Sequence, residues 1–95
     1  MSKGTSNKAY ERRNEDSELQ NLYTLVLYND DVNHYEFVVK SLVEVCKHNW
    51  EQAEQCTLIA HHNGKCDVKK GTLKELRSLR GELSERGLSS VILEN

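Results

Sequence analysis

Tyr23-Thr24-Leu25-Val26-Leu27-Tyr28-Asn29-Asp30-Asp31 is the stretch on which the fold turns. Six residues rich in β-branched and aromatic side chains read as a mostly buried strand, and three turn-forming polar residues stop it. Downstream, Asn33 stands three residues before Glu36, the spacing of a capping box, and Phe37, Val38, Leu42, Val45 and Cys46 recur at helical intervals. A first helix is therefore expected from about His34 to Lys47.

The pattern recurs twice. Asn49 and Gln52 open a second helix whose apolar face is marked by Trp50, Ala53, Cys56, Thr57 and Ala60, and Gly64 supplies a left-handed stop after His61-His62. Lys65 to Lys69 alternates, with Cys66 and Val68 on one face, as a half-exposed edge strand does. Gly71 makes a turn, Thr72 and Glu75 form a third capping pair, and Leu73, Leu76, Leu79 and Leu83 follow at steps of three and four up to Gly87. Leu88-Ser89-Ser90-Val91-Ile92-Leu93 is a last apolar run. The order β-α-α-β-α-β predicts an α+β domain, a three-stranded antiparallel sheet with helices packed on one face.

Composition narrows the function. The chain has 95 residues, room for one modest core, with residues 21–95 as the folded unit. Residues 1–20 carry hardly an apolar side chain and are expected to form a flexible tail. With 13 basic and 15 acidic residues the net charge is -2, which removes the drive toward phosphate backbones, so nucleic acid is not an expected partner. No apolar run nears the roughly 20 residues of a membrane span, and the N-terminus is polar where a signal peptide is apolar. Cys46, Cys56 and Cys66 are an odd number without a CxxC pair, which points to a reducing, cytoplasmic compartment.

Catalysis finds no support. His34, His48, His61, His62 and the cysteines lack the short spacings that preorganise metal ligands, and each cysteine falls on an apolar face where it is an inert small hydrophobe. No nucleophile elbow or phosphate-binding glycine loop is present, so neither an enzyme nor a cofactor is expected. Two constellations remain. Asn29-Asp30-Asp31, at a strand-to-helix junction, can aim oxygen acceptors into a shared cavity or merely form an Asx turn that caps the helix. His61, in the last turn of the second helix, can face the same end of the sheet, or His61 and His62 can simply complement the helix dipole.

These two motifs, in this order and separation, resemble the ClpS family of ATP-dependent Clp protease adaptors, over roughly residues 22 to 94. The family pattern of a strand, Asn-Asp-Asp, a helix cap and Glu-Phe-Val stands here as Leu25 to Asp31 followed by Glu36-Phe37-Val38; the helix-terminal His pattern stands as His61-His62-Asn63-Gly64-Lys65. The resemblance implies a non-catalytic cytoplasmic adaptor. Such an adaptor binds the free N-terminus of proteins with a bulky hydrophobic first residue (an N-degron) and delivers them to a Clp AAA+ unfoldase of the ClpA or ClpC type. By position it assigns the α-amino group to Asn29, Asp30 and His61. The pocket and its gate go to Asp31, Asn33, Tyr35, Val38, Thr57 and Ala60.

The departures concern specificity. Where the family commonly has Thr-Pro-Met, this chain has Asn33-His34-Tyr35, and where it has Met and Val before the His, this chain has Thr57 and Ala60. A larger gate thus faces a smaller, more polar lining. The third helix, Lys74-Glu75-Leu76-Arg77-Ser78-Leu79-Arg80, arranges its charges differently from the family's unfoldase-contacting surface. The alternative is an interaction module of the same fold that has lost N-terminal-residue binding.

Overall fold

A computed structural model describes residues 22–95, so the expected tail at residues 1–20 lies outside the described residues. Six elements follow one another: β1 (Tyr23–Tyr28), α1 (Tyr35–Cys46), α2 (Trp50–Asn63), β2 (Lys65–Gly71), α3 (Leu73–Glu85) and β3 (Ser90–Glu94). β1 lies at the centre of the sheet, in the order β2-β1-β3, with both neighbours antiparallel. A central strand has pairing on both sides and no wet edge, and Thr24, Leu25, Val26 and Leu27 are accordingly all buried. The predicted α+β order and sheet are those observed.

The ladder aligns Tyr28 with Lys65 and Tyr23 with Gly71 on one side, and Tyr23 with Glu94 on the other. Leu25 faces Lys69 but Val26 faces Asp67, so Val68 is an extra residue in β2. Such a bulge bends an edge strand, and Val68 itself is buried with the core. That core joins Leu25 and Leu27 of β1 to Val38, Val39, Leu42 and Val45 of α1, Ala53, Cys56 and Ala60 of α2, and Leu76 and Leu83 of α3. Full burial of each leucine contributes about 1.5–3 kcal/mol relative to exposure.

Helix boundaries follow side-chain chemistry at two starts of three. Asn49 accepts the Gln52 N–H at 2.7 Å, and Thr72 Oγ1 accepts the Glu75 N–H at 3.1 Å. Each cap satisfies an otherwise orphaned donor, so Asn49→Ala and Thr72→Ala should each lower unfolding free energy by about 1 kcal/mol, measured by urea titration. The expected box of Asn33 and Glu36 is not formed. α1 starts one residue later than expected, its N-cap is His34, and no side chain caps it. Asn33 instead commits its NH2 to Asp30 and to the Gly87 carbonyl, an orientation in which its Oδ1, the atom a cap would use, accepts no helix N–H.

The ends are as expected. Gly64 takes φ +92° and returns its N–H to Ala60 at 2.8 Å, closing α2. At α3, Gly87 (φ +83°) donates to Ser84 and Leu88 donates to Leu83, the paired bonds of a Schellman stop, which seat Leu88 in the core ahead of β3. Trp50, expected on the apolar face of α2, is 52% exposed; the buried face begins at Ala53. Among the described residues, no helix is long and apolar enough to cross a membrane.

Candidate functional site

β1 ends at Tyr28, and its partner Lys65 opens β2 directly after the α2 stop, so antiparallel pairing brings the two polar motifs side by side. A backbone bond fixes their separation: the Asn29 N–H donates to the Gly64 carbonyl at 2.9 Å. Tyr28 N–H donates to Ser89 O at 3.0 Å, tying the same end of β1 to the segment before β3. The loop carrying Asn29-Asp30-Asp31 is thus held from both flanks before any side chain is considered.

Asp30 organises that loop. Its Oδ1 accepts the Val32 N–H at 2.7 Å and the Asn33 N–H at 3.2 Å, while Oδ2 accepts from Asn33 Nδ2. The second hydrogen of the Asn33 amide goes to the Gly87 carbonyl at 3.0 Å, which anchors the loop to the end of α3. The Val32 and Asn33 donors hold the Asp30 carboxyl below its ordinary range, the Val32 bond first and the Asn33 side chain next, against a partial loss of solvation. A carboxylate has about four acceptor sites, so these three donors leave one for a ligand. Asn29 turns its NH2 toward Asp31 Oδ1 at 3.4 Å, which leaves its own carbonyl oxygen as an acceptor for an incoming donor.

Asp30, Asp31, Asn33, Tyr35 and His61 line one cavity of about 290 Å³. That is close to the lower bound of ~300 Å³ for small-molecule sites and suits a single amino-acid residue. Among the described residues its wall offers two carboxylates, an amide, a phenol and an imidazole but no lysine or arginine. His61 reaches it from the last turn of α2, with its ring edge-on to His62 at 5.2 Å between centroids. Tyr35, 41% exposed at the first position of α1, closes one side. Loss of solvation, reinforced by the Glu54 carboxylate, raises its phenol above the ordinary tyrosine value, so the hydroxyl stays a neutral donor.

The structure therefore brings together Asp30, Asp31, Asn33, Tyr35 and His61 of the residues singled out from sequence. Asn29 stands beside them, fixed to Gly64, but does not line the cavity. Val38, Thr57 and Ala60 are 8%, 6% and 3% exposed and sit in the core rather than on the cavity wall. Thr57 donates its hydroxyl to Ala53 O at 2.8 Å, which occupies the one hydrogen it could offer. Sequence reasoning missed Gly87 and Gly64, whose carbonyls anchor the loop, and Glu54 beside Tyr35. The two glycines were visible as helix stops; no local pattern could reveal the bonds to residues 33 and 29.

The cysteines lie elsewhere in chemistry as well as in space. Burial pushes the Cys46 thiol up to about 11 and the Cys56 thiol higher still, so both remain protonated at neutral pH and neither is a nucleophile.

The family model for the ATP-dependent Clp protease adaptor protein ClpS matches residues 18–90. The chain belongs to the ClpS family. The ClpS adapter protein of Campylobacter jejuni is 42% identical over 43 residues, 45% of this chain and 45% of that protein. The ClpS adapter protein of Nitratidesulfovibrio vulgaris is 42% identical over 50 residues, 53% of this chain and 48% of the relative. The matched stretch thus spans about half the length of these curated relatives. Agrobacterium tumefaciens ClpS2, solved bound to L-phenylalaninamide, superposes with a TM-score of 0.69 at 22% identity, covering 80% of this chain and 99% of its own. At that identity the likeness establishes a shared ClpS fold.

Proposed function

We infer that this ClpS-family chain is a non-catalytic adaptor that binds the free α-amino end of a protein whose first residue is bulky and apolar, and presents it to a Clp AAA+ unfoldase of the ClpA or ClpC type. The observation that carries the reading is a cavity sized for one residue, with no lysine or arginine on its wall among the described residues, where Asp30 from the β1–α1 loop and His61 from the last turn of α2 converge at segments pinned together by the Asn29–Gly64 bond. An α-ammonium is a compact cation with three donors. Asp30, Asn29 and His61 are three acceptors, and each charge-assisted bond contributes about 1.5–3 kcal/mol. The ligand of the Agrobacterium relative, L-phenylalaninamide, carries a free amino group and an aromatic side chain, which is the chemistry this cavity would select.

The first side chain of the substrate then passes Tyr35 toward Val38, Thr57 and Ala60. Tyr35 is the gate because it is the one large hydrophobic side chain on the cavity wall among the described residues. Its replacement by alanine should change the ranking of first residues, improving Trp relative to Leu by about threefold or more while preserving the need for a free amine. Fluorescence anisotropy with peptides differing only in their first residue (Leu, Phe, Tyr, Trp, Met, Arg) tests both points. An unchanged ranking would remove Tyr35 from the gate.

A second reading rests on a specific observation. Three of the Asp30 acceptor sites are already used within the loop, as an Asx turn with no ligand would use them. On that reading the fold is an interaction module acting through α3. The same titration separates the two, since a folded protein that binds none of the free-amine peptides leaves only the second.

A further inference from the structure

A second groove lies away from the amine cavity, between the end of β2 and the start of α3. It encloses about 740 Å³ and is walled by Lys69, Lys70, Lys74, Glu75, Ser78 and Leu79 among others. Among the described residues, three lysines and one carboxylate line it. Among the described residues, none of the three lysines forms an ion pair. That carboxylate, Glu75, belongs to the first turn of α3, so the described walls of the groove carry a net positive charge.

The register of the sheet decides which segment lies nearest to it. Tyr23 pairs with Gly71, the residue between Lys70 and Thr72, so the chain enters β1 at the mouth of this groove. On the other side it passes the end of β3, where Tyr23 faces Glu94 and Leu22 O accepts from Asn95 N at 2.7 Å. Immediately upstream the sequence reads Glu15-Asp16-Ser17-Glu18-Leu19, three carboxylates in four residues. The start of β1 at Tyr23 thus has a basic groove on one side and an acidic strand end on the other.

We propose that the basic groove between β2 and α3 is the docking site of the acidic segment Glu15–Glu18 of this same chain. The reach suffices. Glu18 is five residues and Glu15 eight residues ahead of Tyr23, about 17 and 27 Å of extended chain, whereas α3 from Leu73 to Leu79 rises only about 9 Å. The carboxylates pair with Lys69, Lys70 and Lys74, and Leu19 has the Leu79 side chain as an apolar floor. The seated segment covers the first two turns of α3, so any acidic partner approaching this face must displace it. The inference is independent of the amine site.

Zero-length carbodiimide coupling of the full-length protein, mapped by mass spectrometry, tests this directly. Low salt should give intramolecular amide links from Glu15, Asp16 or Glu18 to Lys69, Lys70 or Lys74, with the exposed Glu36–Lys40 pair, four residues apart on α1, as positive control. Their yield should fall at least about fivefold in 1 M salt, where the screening length shrinks to about 3 Å. The pair Lys70→Glu with Lys74→Glu should reduce them similarly, and adding Glu15→Lys with Glu18→Lys should restore links of reversed polarity. Links to lysines elsewhere, links only between two copies, or no links while the control pair reacts would each overturn the proposal.

Discussion

Asp30→Asn is expected to weaken binding of a free-amine, Leu- or Phe-initial peptide by about ten- to a hundredfold, the loss of one charge-assisted bond to the ammonium. Asparagine is the informative substitution because Oδ1 can still accept from Val32 and Asn33 N–H, so the turn has its backbone bonds. What disappears is the negative charge and the Oδ2 acceptor; the new NH2 group faces the Asn33 Nδ2 donor. Asn33→Ala is the control. It removes the links to Asp30 and to Gly87 O without touching the charge, and should cost about 0.5–1.5 kcal/mol of stability per bond with a smaller loss of affinity. Equal binding by wild type and Asp30→Asn, with both folded by circular dichroism, would rule out the amine role and leave the interaction-module reading.

The same variant has a stability signature with a definite sign. The Asp30 carboxyl is held below its ordinary value by donors present only in the folded loop. Its ionised form therefore stabilises the fold at neutral pH, and that contribution is lost as pH falls below about 4 and through the depressed folded value. Acid titration of stability should be shallower in Asp30→Asn than in wild type over that window.

The local signals that proved sufficient share one property, that the interaction closes within four residues. Asn49 to Gln52, Thr72 to Glu75 and the Gly64 stop each satisfy a backbone group from a near neighbour, and each stands as read. Asn33 and Glu36 have the same spacing, yet the box is absent because Asp30, three residues earlier, and Gly87 O, 54 residues away, orient the Asn33 side chain through its NH2, and its oxygen accepts no helix N–H. The bulge at Val68 was equally hidden, since alternation through Lys65 to Lys69 looks regular until β1 is paired with it. Of the site, Asp30 and His61 were legible because two motifs flank an antiparallel pair. The assignment of Val38, Thr57 and Ala60 to a pocket came from resemblance, and the structure shows only the burial that their helical spacing already predicted.

Acetylating the α-amine of the same peptide should have a larger effect than any single substitution in the protein, a loss of at least about a hundredfold. The modification removes the charge and two of the three donors at once, leaving Asp30 with a neutral amide N–H where it had an ammonium. Titrating the proton off the amine is the reversible version of this experiment. A free α-amine loses its proton near 7.7–8.0, and the Asp30 carboxylate favours the charged form, so affinity should hold up to that range and then fall by about tenfold for each further pH unit. The acidic limb is not expected from Asp30 until far lower pH, because its carboxyl is held below the ordinary carboxylate range. A peptide that binds equally from pH 7 to 9.5, or equally well when acetylated, would show that the cavity recognises the side chain and not the terminus. With a free-amine requirement established, the Agrobacterium relative and this chain would share a ligand chemistry as well as a fold, through Asn29, Asp30 and His61 and despite Tyr35, Thr57 and Ala60.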